Sequence, residues 1–551
     1  HQPMHYLDRY TIIFNGEIYN YIELKNELLK NNYEFKSGTD TEVILASYDF
    51  WGKKCVEKFN GMWAFAIHDK VKNEIFLSRD RFGIKPLYYS KIGNKFVFGS
   101  EIKQIIEFQE KVLVNKKVLI DFIVTSFEEH TEETFFQDVK KLKQSHNLTY
   151  DLKTNNYSIS KYYSISHHRE IEKLSERESI DKFHSELKRS IDYRLRSDVT
   201  VGSCLSGGLD SSTVASIASS RYMKESSNKK FTAIHAKSTE KDSDESYYAS
   251  KVSEISNLDL IIVKPSIEDF KSHIDEVAYT QEEPFGGPSI FMQYFVMKKA
   301  KEIGCTVMLD GQGGDEILLG YEKYYPSAYL NIFQRKGFLA MLKTIRESNK
   351  NNSRMTIYWI AKFFIGSLFS SLRKIVYKRK ANFMKPHSND FNFLDKLASS
   401  YLNIFSLQEK EIMSTNLPCL LKFEDKNSMR NSIEARLPFL DYKVLETALS
   451  IDIDYKIKEG WTKYVLRKII SKKMPSEIAW RKNKLGFNAP ESTWIDSLSF
   501  DIKTVIKNSQ ILNEICHVDK ILKNIKSYDN RLKWRLYSIA VWEKVYNVKI
   551  S

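Results

Sequence analysis

Long apolar runs, paired cysteines and low-complexity tracts are all missing from this 551-residue chain. The most apolar stretch, Tyr358–Leu372, is interrupted by Lys362 and is too short to cross a bilayer, so it reads as a core helix. Neither a signal peptide before the first motif nor a transmembrane segment is expected. The five cysteines (Cys55, Cys204, Cys305, Cys419, Cys516) are odd in number, scattered and never in a CxxC pair. That argues for a reduced, cytoplasmic compartment and against a zinc site. There is no Pro/Gly/Ser tract and no repeat at solenoid spacing, which sets aside linkers and repeat arrays. Acidic charge is in deficit: 84 Lys and Arg against 70 Asp and Glu leave a net +14. Such a charge attracts ATP or pyrophosphate as readily as nucleic acid, so it names no partner, and no specific nucleic acid is expected. The basic run Arg373–Arg379 reads as a solvated face.

What is present is enough for two or more domains, because 551 residues exceed the size at which one core stops growing and 42% of them are hydrophobic. From Tyr10 to Glu101, short β-rich runs (TIIFNG, WAFAIHD, EIFLSRD, KFVFGS) alternate with a single clear helix around Ile22–Leu29. This predicts a layered α/β domain dominated by antiparallel strands. The polar segment His167–Glu178 marks a boundary. Beyond it, a strand at Val199–Leu205, a Gly-rich turn, a helix (STVASIASS) and a strand at Phe231–His235 open a doubly wound parallel sheet. From Gly320 onward the chain reads as mostly helical.

Two Gly-rich segments carry chemistry. Ser206-Gly207-Gly208-Leu209-Asp210-Ser211 follows a strand and opens a helix, where backbone N–H groups and a helix amino terminus cradle phosphate. Lacking the lysine of a Walker loop, it resembles the pyrophosphate loop (SGGxDS) of ATP pyrophosphatases that adenylate their substrate. The second segment, Asp310-Gly311-Gln312-Gly313-Gly314-Asp315-Glu316, follows the apolar strand Thr306–Leu309. Carboxylates facing a triphosphate repel it unless magnesium lies between them, so Asp210 and Asp315 are candidate Mg²⁺ ligands.

Nine blocks in order then carry a resemblance over nearly the whole chain: FNGEIYNY, DTEVIL, NGMWAFAIHD, RDRFGIKPLYY, SEIK, LSGGLDSS, DGQGGDE, SIEARLPFLD and KYVLRK. The chain resembles the glutamine-hydrolysing asparagine synthetase family. The resemblance implies an N-terminal-nucleophile-type glutaminase sandwich, incomplete here, over residues 1–165, and an ATP-pyrophosphatase (synthetase) domain over 180–551. In the first domain it implies that Asn15 and Gly16 form an oxyanion hole, while Glu17 and Asp40 bind the α-amino group of glutamine. The nucleophilic cysteine expected at residue one is not in this sequence, and Cys55, in the helix-like run WGKKCVEKF, reads as structural. Glutamine hydrolysis by the chain as written is therefore not expected.

In the second domain the resemblance implies that aspartate attacks the α-phosphate of ATP and that ammonia, supplied from glutamine, displaces AMP. Lys463 is the matching active-site lysine. Leu205, Ala233 or Ile234, and Asp310 with Gly311 are the implied adenine and ribose contacts. Many family members have Glu where this chain has Gln312, and an amide takes no proton at neutral pH. Glu434 or released pyrophosphate is then expected to take it from ammonium. The family also includes enzymes acting on other carboxylates, such as sugar acids of surface polysaccharides, for which the stretch Tyr324–Leu420 would house a larger acceptor. An RNA-modifying ATP pyrophosphatase is the reading of a different class; the glutaminase remnant argues against it. A homodimer remains open.

Overall fold

Side-chain alternation decides what covers each face of the first strands. The computed structural model describes residues 1–225, 229–351, 365, 369–482 and 489–550. They form two units, residues 1–110 with 132–166, and residues 111–131 with 167–551. The first unit holds a six-stranded antiparallel sheet in the order β1 (Met4–Tyr6), β2 (Tyr10–Ile18), β3 (Gly61–Asp69), β4 (Glu74–Arg79), β8 (His146–Asp151) and β9 (Asn156–Lys161). Along β3, Trp63, Phe65 and Ile67 face a core shared with helices Tyr21–Leu29 and Asp40–Trp51, whereas Ala64 and Ala66 face Leu87, Tyr89 and Leu142. Tyr89 belongs to a second sheet of β6 (Lys95–Gly99), β5 (Tyr88–Ile92) and β7 (Lys140–Lys141). This is the N-terminal-nucleophile-type sandwich expected from the motifs.

The single helix expected before Glu101 is a correction, because Asp40–Trp51 is also helical. Thr41 to Tyr48 are all buried there, so no polar face breaks the run and no 3.6-residue period shows in the sequence. Thr39 starts the helix by accepting from Glu42 N (3.4 Å).

The RDRFGIKP block is a turn built around one carboxylate. Buried Asp80 accepts from the N–H groups of Phe82 (3.1 Å), Gly83 (2.7 Å), Ile84 (3.0 Å) and Lys85 (2.9 Å). Arg79 donates to the carbonyls of Lys85 (2.7 Å) and Leu142 (2.7 Å), and Arg81 to those of Phe59 (2.5 Å) and Glu57 (2.7 Å).

In the second unit five parallel strands run in the order β12 (Leu258–Val263), β11 (Phe231–Ala236), β10 (Val201–Cys204), β13 (Val307–Leu309) and β14 (Glu434–Arg436). The chain builds outward from β10 to β12 and then returns to the other side of β10. That reversal opens a crevice beyond the carboxyl ends of β10 and β13, the usual ligand position in doubly wound sheets. The polar segment read as a boundary holds the start of helix Glu176–Arg194, capped reciprocally by Ser175 and Glu178. Its far end is capped by Arg436, which donates to the carbonyls of Arg194 (2.9 Å) and Arg196 (2.6 Å). From Gly320 the regular elements of the described chain are helices except for β14, whose three residues are too few to show a strand pattern. Most of Tyr358–Leu372 lies outside the described residues. Its described apolar members Ile365, Phe369 and Leu372 are about half exposed, against the expected core helix. Among the described residues no helix is long and apolar enough to cross a membrane.

Asp80→Ala removes the side-chain acceptor of the Phe82, Ile84 and Lys85 N–H groups, while Gly83 N keeps the Asp80 carbonyl (3.3 Å), and a buried orphaned donor costs about 1–3 kcal/mol. We expect the variant to lose on the order of 3 kcal/mol or more of stability in urea unfolding of the full chain, and Asp80→Asn, which keeps one acceptor oxygen, to lose less. A loss below about 1 kcal/mol for Ala would show that the turn is held by other contacts.

Candidate active site

Both Gly-rich segments leave the strands that flank the crevice. After β10, Leu205 N donates to Ile234 O (2.9 Å), and the chain turns through Ser206–Gly208 into helix Leu209–Glu225. Hydroxyls close that turn: Ser206 and Ser211 Oγ lie 2.9 Å apart, Ser211 Oγ accepts from Ser206 N (3.2 Å), and Ser206 Oγ accepts from Gly208 N (3.2 Å). The loop is thus shaped by its own side chains at the amino end of a 17-residue helix, where partial positive charge accumulates.

After β13, the segment 310–316 folds directly onto this loop. A Cβ at Gly311 would sit 2.7 Å from Ser211 N and 3.1 Å from Asp210 Cβ, so the two backbones approach as only glycine permits. Lys463 joins the loops from far along the chain. Its Nζ lies 2.6 Å from Asp315 Oδ1 and also contacts Asp210 Oδ2. The lysine is buried and its backbone is left-handed (φ 55°), at the start of helix Tyr464–Ile470. A side chain at Gly320 would meet Asp315 Oδ1 (1.9 Å) and Lys463 Cε (2.3 Å), so that glycine clears the space for the pair.

Asp210, Asp315, Lys463, Ser206, Gly207, Gly208, Ser211, Asp310 and Gly311 therefore come together, and half-buried Gln312 sits in the same loop. Leu205, Ala233 and Ile234 are fully buried; the latter two lie inside β11, two or three residues short of its carboxyl end. Glu434 is a correction. It pairs with Val307 at the amino-terminal end of the strands, away from the crevice, and its carboxylate is held by Arg436 Nε (2.5 Å). In the first unit, Asn15, Gly16 and Glu17 end β2, and Asp40 accepts from Ile18 N (2.9 Å), which brings these four residues to one place. Asn15 Nδ2 donates to Ser100 Oγ (3.2 Å).

Sequence reasoning missed two residues. Glu424, on helix Leu417–Arg430, is buried beside the carboxyl group of Asp310, and neither of its carboxyl oxygens has a hydrogen-bond partner among the described residues. Burial, and then the Asp310 charge, push Glu424 well above the ordinary carboxylate range; burial likewise raises Asp310. Arg467 donates to the carbonyls of Thr462 (2.8 Å) and Ala479 (2.8 Å), fixing the backbone beside Lys463, and burial lowers it to about 10. A KYVLRK motif signals Arg467 as readily as Lys463; nothing in LKFEDK signals that Glu424 is buried.

The magnesium expectation has a fit in this geometry. Asp210 Oδ1 is buried without a hydrogen-bond partner among the described residues. Those residues include no cluster of three or more metal-ligating side chains, so a cation here would draw most of its ligands from phosphate and water.

Residues 182–544, more than half of the chain, match the family model described as Asparagine synthase. The chain belongs to the asparagine synthase family. Residues 1–163 match the model described as Glutamine amidotransferase domain. Among relatives, asparagine synthetase (glutamine-hydrolysing) 1 of Bacillus subtilis (strain 168) is 30% identical over 99% of this chain and 87% of its own length. The same organism's asparagine synthetases (glutamine-hydrolysing) 2 and 3 are 29% and 27% identical, over 92% and 86% of this chain and 66% and 75% of theirs. Within this asparagine synthase family member, the LSGGLDSS, DGQGGDE and KYVLRK blocks meet at one crevice, while SIEARLPFLD caps a helix behind it.

Because Glu424 holds its proton more tightly folded than unfolded, the wild-type chain loses stability as pH rises from about 4.5 towards the folded value; a glutamine there does not titrate. The Tm of Glu424→Gln minus that of wild type should therefore increase between about pH 5 and about pH 8. A constant or falling difference contradicts the upward shift of Glu424.

Proposed function

We propose that this chain is an ATP-dependent amide-forming ligase that activates aspartate as β-aspartyl-AMP and releases asparagine, AMP and pyrophosphate when ammonia attacks. The observation that carries the proposal is the Lys463 ammonium set against Asp210 and Asp315 where two Gly-rich loops meet. Membership of the asparagine synthase family, and relatives named asparagine synthetase, support the amide product. We assign residues 1–165 to glutamine amidotransfer and residues 180–551 to synthesis.

In this reading Ser206, Gly207, Gly208 and Ser211 line the triphosphate at the helix amino terminus. Leu205, Ala233, Ile234, Asp310 and Gly311 border adenosine, the buried strand residues through their backbone. Asp210 and Asp315 hold magnesium, which when bound neutralises phosphate charge. Lys463 follows the negative charge as it moves from the α-phosphorus to departing pyrophosphate, since a lysine ammonium is a compact, mobile point charge. Gln312 orients by hydrogen bonds. The proton that ammonium must lose passes to the ionised carboxylate of the Asp310–Glu424 pair, which takes the role first expected of Glu434. In the other unit, Asn15 and Gly16 would donate to the oxyanion and Glu17 and Asp40 would hold the ammonium group of a bound glutamine, while the nucleophile that would attack its amide is not among the residues of this sequence. Gln312 in place of a carboxylate favours a second reading, the same chemistry on another carboxylic acid such as a sugar acid.

Lys463→Ala should retain ATP binding and slow AMP formation from aspartate and ammonium at saturating ATP by about a hundredfold or more, as for other removed electrostatic stabilisers. Lys463→Arg should recover little, because a planar fork does not replace a point charge. If Lys463→Ala weakens ATP affinity and leaves saturated turnover unchanged, the lysine serves ground-state binding and the proposed role is wrong.

A further inference from the structure

On the amino-terminal side of β10, helix Glu176–Arg194 ends in a cavity of about 380 Å³ lined by Arg189, Asp192, Tyr193, Leu195, Arg196 and Arg221. Three arginines and one aspartate line it. Arg221 comes from helix Leu209–Glu225, twelve residues beyond Leu209, so about 18 Å of helix separates this pocket from the Gly-rich loop. It is a different site from the crevice.

The arginines are arranged, not scattered. Asp192 Oδ1 accepts from Arg221 Nε at 2.6 Å, and Arg189 pairs with Glu186. The Arg196 guanidinium carbon lies over the Tyr193 ring at 4.5 Å, a cation–π contact that helps hold the side chain in place. Beyond the pocket the same two helices carry Lys188 and Lys224, beside Lys472 and Lys473. Lys473 is held below the usual ammonium range by burial and then by the charges of Lys224 and Lys188, and burial with Lys472, Lys473 and Lys188 lowers His184. Asp181 is the acidic group that also faces His184. Among the described residues none of these four lysines pairs with a carboxylate. Uncompensated like charge at this density repels itself and concentrates anions.

We propose that this pocket binds a small, multiply charged phosphate anion, gripped by Arg196 and Arg221 after Asp192 yields its place on Arg221. Planar guanidinium forks match phosphate oxygens bidentately, and the volume is that of a small-ligand site. A nucleic-acid strand would instead follow the row of lysines outside.

Tripolyphosphate titrated calorimetrically into the full-length protein, in EDTA, tests this. Wild type should bind it saturably, and added salt should weaken the binding. Arg196→Gln with Arg221→Gln should weaken binding tenfold or more. Asp192→Asn should tighten it several-fold, because it frees Arg221 of its competitor, and this variant carries the test if the double variant does not fold. No saturable binding, or equal affinity in wild type, Asp192→Asn and the arginine variant, overturns the proposal, the latter placing the anion on the Gly-rich loops. It is also overturned if a single-stranded oligonucleotide binds more tightly than tripolyphosphate and is weakened by Lys188→Gln with Lys473→Gln but not by the arginine changes.

Discussion

One ammonium between two carboxylates holds the crevice together. Asp210 comes from the loop after β10 and Asp315 from the loop after β13, and Lys463 Nζ reaches both. Without that cation the carboxylates would face each other across backbones already in contact at Gly311, and like charges this close suppress each other's ionisation. The lysine keeps a left-handed backbone, which costs a non-glycine residue on the order of 1 kcal/mol. Arg467 maintains it by gripping the Thr462 carbonyl from inside the following helix.

Much of the surrounding construction serves to seat that pair. Gly320 is hydrogen-bonded to the Asp315 carbonyl (2.8 Å) and leaves the space that the carboxylate and the lysine stem occupy. Glu316, fully buried next to Asp315, accepts from Tyr321 OH (3.0 Å) and Asn416 Nδ2 (2.6 Å), while Gln408 donates to its carbonyl (2.8 Å). The loop is thereby anchored to helices far away in sequence. Behind the other side, Asp310 lies beside buried Glu424, and burial favours the neutral form of both carboxyl groups. The same helix places Lys422 between Glu128 (3.3 Å), Glu129 (3.0 Å) and Glu283 (3.2 Å), a buried charge network that ties residues 111–131 to the second unit.

How much of this was legible depends on whether a residue's role left a local pattern. SGGLDSS and DGQGGDE announce themselves because close backbone approach demands glycine and phosphate chemistry demands carboxylates beside it. Strands β2 to β4 show in period-two alternation or apolar runs. Helix Asp40–Trp51 does not show, because burial on all sides erases amphipathic period. Glu434 looked catalytic by proximity to a family motif, yet three residues of parallel strand place it at the wrong end of the sheet. Glu424 was invisible for the opposite reason: a charged residue in a charged helix reads as solvated, and only tertiary packing buries it. The pairing of Lys463 with two aspartates 253 and 148 positions earlier is likewise a product of topology, which no local window contains.

The central claim is that this crevice joins a carboxylate to the α-phosphate of ATP before ammonia arrives. It is tested most directly by isotope. Aspartate labelled with ¹⁸O in its side-chain carboxylate, incubated with the full chain, ATP, magnesium and ammonium, should yield AMP carrying one ¹⁸O and pyrophosphate carrying none, because the attacking oxygen leaves with AMP when nitrogen takes its place. Label appearing in inorganic phosphate together with ADP, or unlabelled AMP accompanying labelled asparagine, would contradict it.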